Sequence, residues 1–208
     1  MEHFCHICMD KISMIPFKIP SRKIKVMVIG LGPGEEELEK GEVFVGKEGS
    51  FAKSVILSAL ADLGIKEDEV YFTNAIKCNI DFSNNAKLKK KALSNCYHYY
   101  LSKEIREVLP DKIICLGEYA YKGFFENGLY KGVGVLEVNR GNEKKQIQVL
   151  IEHFPTFYAR SKNKEMIMRN IQSFKNRIKR FMMFSLSEFK YEVFKIDNSQ
   201  YQSDLLND

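Results

Sequence analysis

Apolar residues fall in short blocks along this chain, and their spacing switches between two periods. Ile24 to Gly30 is a brief apolar run closed by glycine, which predicts a buried strand. From Ser50 to Leu63, the residues Phe51, Val55, Ile56, Leu57, Leu60 and Leu63 recur at helical spacing, and Gly64 closes the helix. Val70–Asn74 predicts a second strand. Ala86–Leu109 predicts a long basic helix, stopped by Pro110. Lys112–Gly117 predicts a third strand and Glu118–Phe125 a helix. Val133–Val138 and Gln146–Ile151 alternate about Arg140-Gly-Asn, which predicts a hairpin. Lys164–Met183 reads as the last core helix, and residues 9–23, with Pro16 and Pro20, as an irregular connector. Strands alternating with helices predict an α/β fold, a three-layer α/β/α sandwich around a mainly parallel sheet. The expected division is one domain over residues 1–183 and a C-terminal extension over 184–208, whose mixture of aromatics and acids does not decide whether it packs.

The length of 208 residues fits that single domain. No apolar stretch is long enough to span a bilayer, and the opening MEHFCHICMD lacks the order of a signal peptide. A cytoplasmic setting with reduced thiols, no membrane partner and a monomer are the expectations. The net charge of +5 is uneven: residues 184–208 hold five acids and two bases, leaving +8 on the rest. Lys87, Lys89, Lys90 and Lys91 form one basic run; Lys162, Lys164, Arg169, Lys175, Arg177, Lys179 and Arg180 form another. Such runs can neutralise phosphates, and they can equally be solvated helix faces.

Four cysteines narrow the chemistry: Cys5 and Cys8 as C-x-x-C, then Cys78 and Cys96. A zinc ribbon would want a second tight pair, and a secreted disulfide scaffold would be shorter and richer in cysteine. An iron–sulfur cluster held by four cysteines tolerates wide spacing, because its thiolates can come from separate elements. Scattered reduced thiols are the bland alternative. Cys115, inside an apolar strand, reads as a buried thiol.

Gly30-Leu-Gly-Pro-Gly34 follows the first strand, where open α/β sheets bind ligands. A dinucleotide loop would run straight into a helix. Here Pro33 interrupts, and Glu35, Glu36, Glu37 and Glu39 would repel a pyrophosphate.

The stretch from Gly30 to Gly46, GLGPGEEELEKGEVFVG, closely resembles the first motif of the family 4 (iron–sulfur) uracil-DNA glycosylases. Thr73-Asn-Ala-Ile-Lys-Cys78 matches that family's T-N-x-x-K-C, and His153-Phe-Pro-Thr156 resembles its late H-P-S. Cys5, Cys8, Cys78 and Cys96 fall where its cluster cysteines are expected. The resemblance runs from Cys5 to about Phe181. Leu31 replaces the family's glutamate, Leu38 its aspartate and Val43 its proline, and Phe154 is an extra residue between histidine and proline.

The resemblance implies a uracil-DNA glycosylase-like fold, a 4Fe-4S cluster serving as a structural clasp, and DNA as the partner. An enzyme acting on a base must flip it out of the stack. Gly30, Leu31, Gly32, Phe44 and Asn74 are then the base-binding candidates, with Phe44 as stacking surface and Asn74 reading the pyrimidine edge. His153 is the candidate donor to the departing base, and Glu37 the candidate for orienting water, since Leu31 cannot. Phe157 and Tyr158 are candidate wedges in the duplex, with Arg160, Lys89 and Lys90 on phosphates. Three functions are weighed. The first is excision of uracil. The second is excision of a modified cytosine, such as a glucosylated hydroxymethylcytosine, from phage DNA as antiviral defence. The third is an inactive iron–sulfur nucleic-acid-binding module.

Overall fold

The structure, a computed structural model, describes residues 3–5, 7–8, 12–79, 85–121, 132–140, 143–183, 185 and 193–196. Its centre is a six-stranded sheet in the order β4-β3-β5-β7-β6-β8. These strands are β3 (Val26–Gly30), β4 (Val70–Asn74), β5 (Lys112–Leu116), β6 (Gly132–Arg140), β7 (Glu143–Glu152) and β8 (Val193–Ile196). β3 pairs in parallel with β4 and β5, and β5 with β7; β6 runs antiparallel to β7, and β8 parallel to β6. The expected mainly parallel α/β sandwich is therefore present.

Every residue of β3 is buried, as a strand covered on both faces must be. On one face Met27, Ile29, Ile113 and Cys115 pack against the helical stretch α3 (Ala86–Cys96) and α4 (Ser102–Val108). On the other, Val26, Val28 and Ile114 pack against α2 (Gly46–Ala61) and α7 (Lys164–Met183). The short helices α1 (Glu35–Lys40), α5 (Glu118–Tyr121) and α6 (Pro155–Tyr158) sit in connections.

The hairpin forms as its alternation predicts, with Val133 opposite Leu150 and Arg140 opposite Glu143; its turn at 141–142 lies outside the described residues. So do residues 122–125 of the helix expected after Glu118. Two features depart from the sequence reading, and a third falls where that reading is open. Residues 12–14, expected as connector, form β2 (Ile12–Met14) on β1 (His3–Cys5), an antiparallel pair that closes the loop carrying Cys8. The long basic helix is not uniformly α: Tyr97–Leu101 makes a π-helical turn between α3 and α4, directly after Cys96. In the C-terminal segment, β8 covers the open edge of β6 and supplies backbone partners that an edge strand lacks.

No helix among the described residues is long and apolar enough to cross a membrane. The basic residues of α7 are largely tethers. Lys175 donates to Ser58 at 2.7 Å, Lys179 pairs with Asp62 at the end of α2, and Arg177 reaches Glu152.

Candidate functional site

β3 and β5 are neighbours, and the connection leaving β3 runs to β4 on one side while that leaving β5 runs to β6 on the other. Such a switch point opens a crevice beyond the strand ends. A cavity of about 630 Å³ occupies this place, lined by the loop from Leu31 to Glu37, by Phe44 to Gly49, and by Asn74, Asn79 and Phe154.

Phe44 and Asn74 form its floor, 2 % and 4 % exposed. Their approach depends on Gly30: a Cβ there would lie 2.5 Å from Asn74 Oδ1 and 3.1 Å from Phe44 Cζ. Gly30→Ala is expected to displace Asn74 and slow any reaction at this site by about 100-fold, the scale of a ~1 Å misplacement. Single-turnover rates with circular dichroism as a folding control would check this.

Phe44 holds a left-handed backbone, φ 57°, unusual for an aromatic residue. Three contacts fix it there. Its N–H donates to Glu37 Oε1; Gly49 packs so closely that a Cβ would lie 2.8 Å from the Phe44 carbonyl carbon; and Phe72 backs the ring at 5.0 Å between centroids. Glu37 Oε2 also accepts from Gly34 N at 2.7 Å, so one carboxylate ties the two ends of the first motif. Burial pushes the Glu37 carboxyl above its usual range, against the pull of those two N–H groups towards the charged form. Asn74 approaches this carboxylate as a side-chain donor and favours its charged form too, but its buried Nδ2 reaches full hydrogen-bond geometry with no group among the described residues.

Glu36 has a different task. A Cβ on Gly46, the first residue of α2, would sit 2.9 Å from the Glu36 carboxylate. The acid thus lies against a helix N-terminus that no side chain caps, where negative charge is favoured. The acidic run after the glycine loop is in part an internal brace.

The remaining candidates lie outside the cavity lining. His153 is exposed and stacks on Phe157, with ring centroids 4.4 Å apart and planes 23° apart. Phe157 is 48 % exposed, with the Arg160 guanidinium 5.7 Å from its ring centre. Tyr158 is held inward: its hydroxyl donates to Glu152 Oε2 at 2.6 Å and accepts from Arg177 Nη2 at 2.8 Å. Lys89 lies over the Tyr119 ring at 3.2 Å, and Lys90 is exposed.

The sequence reading missed the support beneath these residues. Arg177 grips the buried Glu152 through two nitrogens, at 2.7 and 3.1 Å, and so anchors the end of β7 just before His153. Lys77, 3 % exposed, donates to Glu104 Oε2 at 2.5 Å and Thr73 Oγ1 at 2.7 Å, while Tyr71 OH donates to Glu104 Oε1 at 2.7 Å. The signal was available: Tyr71 and Thr73 are polar residues two apart on a buried strand, and a charged Lys77 follows among apolar neighbours.

The cysteines converge from both ends of this support. Met14 bridges Cys78 in antiparallel fashion, and Ile15 N donates to Lys77 O at 2.8 Å, which docks the β1–β2 hairpin on the loop after β4. Asn95 Nδ2 lies 3.5 Å from Cys8 Sγ and Tyr100 OH 3.7 Å from Cys5 Sγ, so the end of α3 and the π-turn after it both face the hairpin. Cys78 and Cys96 share a hydrogen bond that holds the Cys96 thiol below its ordinary value and pushes Cys78 above it. Burial and the nearby cysteines push Cys8 up. All five cysteines are free, and Cys115 stands apart, fully buried in β5. Among the described residues no group of three or more His, Cys, Asp or Glu is gathered tightly enough for one metal ion. A cubane cluster makes a different demand, spreading its thiolates over separate irons. Four free thiols, with Asn95 and Tyr100 as N–H and O–H donors to sulfur, are a donor set of the chemistry such a cluster takes.

Comparisons with known proteins identify the family. The Uracil DNA glycosylase superfamily matches residues 17–182. A Type-4 uracil-DNA glycosylase of Thermotoga maritima is 30% identical over 162 residues, covering 75% of this chain and 79% of that protein. Its namesake from Archaeoglobus fulgidus is 30% identical over 121 residues, covering 58% and 57%, and that from Pyrobaculum aerophilum 34% over 104 residues, covering 50% and 50%. The matched stretch thus spans little more than half of the Archaeoglobus protein and half of the Pyrobaculum one. On the extent of the superfamily match and the long Thermotoga alignment, this chain belongs to the uracil DNA glycosylase superfamily, as a divergent member of its type-4 branch.

Proposed function

We propose that this protein is a DNA glycosylase that hydrolyses the N-glycosidic bond of a flipped-out base, uracil by default, and leaves an abasic site. One observation carries the reading: a fixed aromatic ring, Phe44, stands beside a buried amide donor, Asn74 Nδ2, that completes no hydrogen bond among the described residues. A buried donor without a partner is costly unless a ligand uses it.

The chemistry follows from that pairing. The extrahelical pyrimidine lies against Phe44 and offers a carbonyl oxygen to Asn74 Nδ2. As the bond between C1′ and the ring nitrogen breaks, its electron pair moves onto the base, and the donor stabilises the growing negative charge. The sugar becomes electrophilic at C1′; a water oxygen bonds there, and the proton it loses neutralises the departed base anion through solvent, leaving a free base and an abasic sugar hydroxyl. Leu31 has no acceptor for that water. Each Glu37 oxygen accepts one backbone N–H and keeps a lone pair with which to orient it. His153, stacked on Phe157, would have to leave that ring to assist. Cys5, Cys8, Cys78 and Cys96 would hold the 4Fe-4S cluster, whose role is to clasp the N-terminal hairpin to the end of α3. Exposed Phe157, Arg160 and Lys90 are the proposed contacts to the duplex.

The cavity, several times the size of a bare pyrimidine, favours a second reading in which the base carries a substituent at its 5-position, as modified cytosines of phage DNA do. An abasic-site assay on duplexes carrying uracil, hypoxanthine or glucosylated hydroxymethylcytosine tests both. Cleavage at uracil supports the first reading, and cleavage confined to the modified cytosine supports the second. Binding without cleavage of any would leave a nucleic-acid-binding module.

A further inference from the structure

We propose that Phe154 is a second aromatic wall of the base slot, so that the flipped base is held between Phe44 and Phe154; the proposal rests on the glycosylase reading above. The backbone decides which residue faces the cavity. β7 ends at Glu152, whose side chain is gripped by Arg177 and whose carbonyl accepts Gly117 N at 2.7 Å. α6 begins at Pro155, so only two residues span the gap. Phe154 is extended, φ −61° and ψ 137°, close to a polyproline-II turn, in which successive side chains leave the chain about a third of a circle apart. His153 goes outward onto Phe157, and Phe154 goes inward to the cavity.

Inside, the Phe154 ring faces Phe44 with centroids 6.3 Å apart and planes 26° apart. A base between two rings needs two stacking gaps of ~3.4 Å each, the base spacing along a DNA strand. The centroid separation is near twice that spacing, the scale on which two near-parallel rings can flank a base once Phe154 shifts off the core it packs against. Phe44 cannot yield, being fixed by Glu37, Gly49 and Phe72. Phe154, half-buried at the start of a four-residue helix, is the wall that adjusts. A base so held lies beside Asn74, which Gly30 allows close to Phe44.

The test measures binding of free uracil, thymine and cytosine to the full chain by calorimetry, alongside KM and kcat on uracil-containing duplex. Phe154→Ala should weaken base binding by roughly 5- to 150-fold, the scale of losing one base–aromatic stack. Phe154→Tyr should bind as wild type does. Phe154→Leu, which keeps apolar bulk and so controls for folding, should still lose affinity. Equal or tighter binding by Phe154→Ala would show a plug rather than a wall and overturn the proposal. Wild-type affinity in Phe154→Leu, or no binding of any of the three bases by the wild type, would also overturn it. A wild type that binds a base yet leaves every duplex intact would sink the glycosylase reading while the slot stands.

Discussion

Asn74→Ala should slow base release by about 10²- to 10³-fold, the loss typical of one donor aimed at a developing anion. The effect should fall on kcat more than on KM, because the bond strengthens as charge builds on the departing base. Stability should move little or rise. Asn74 Nδ2 is buried and completes no hydrogen bond among the described residues, and removing an unsatisfied donor relieves about 1–3 kcal/mol, which offsets the small cavity left behind and the lost support to the Glu37 charge. Few single changes lower activity this far without lowering stability, so the pair of measurements separates a catalytic donor from a packing residue. Asn74→Asp should be worse on both counts. It replaces the donor with an acceptor, and it buries a second carboxyl beside Glu37, whose own carboxyl burial already holds high. Rates and denaturant midpoints for the two variants would check this; a normal rate for Asn74→Ala would remove Asn74 from the reaction.

The second large effect concerns the cysteines. Purified anaerobically, the protein should be brown and carry about four irons per chain, as one cubane on four thiolates requires. Cys96→Ser should lose the colour and much of the stability together. Cys96 sits at the junction of α3 and the π-turn, and the hairpin opposite it is otherwise held by a short backbone pairing through Met14 and Ile15. Once the hairpin loosens, the loop from Ala75 to Cys78 loses one support, and that loop extends directly from Asn74. Excision should therefore fall as well, although no cysteine lines the cavity. Cys115→Ser is the control. It buries a hydroxyl inside β5 and costs some stability, but the colour should remain. One zinc and no sulfide in the wild type would contradict the cluster.

Much of the fold is legible in the sequence because both faces of the sheet are covered. That burial turns β3 and β5 into unbroken apolar blocks bounded by Gly30 and Gly117, and it puts the helical period of α2 and α7 in plain view. The π-turn is not legible: Tyr97, Tyr99 and Tyr100 suit an ordinary helix, and nothing in their order marks the extra residue that follows Cys96. The pairing of β8 on β6 is equally hidden, since an acidic, aromatic tail carries no mark of its partner. At the site, the nearness of Phe44 and Asn74 follows from their places after β3 and at the end of β4. What the sequence could not show is direction. Whether His153 or Phe154 enters the cavity depends on two residues strung between a clamped Glu152 and Pro155. The tasks of Glu36 and Glu37 depend on where α2 begins.

The most direct test of the account is the product of a single turnover. The cluster-bearing protein, in excess over a duplex with one uracil, is quenched, and the strands and small molecules are weighed by mass spectrometry. The account predicts one free base and one abasic site for each duplex consumed, with the wild type at least about 100-fold faster than Asn74→Ala, the effect of a single lost donor. Intact strands, for uracil and for every substituted pyrimidine tried in its place, would contradict it.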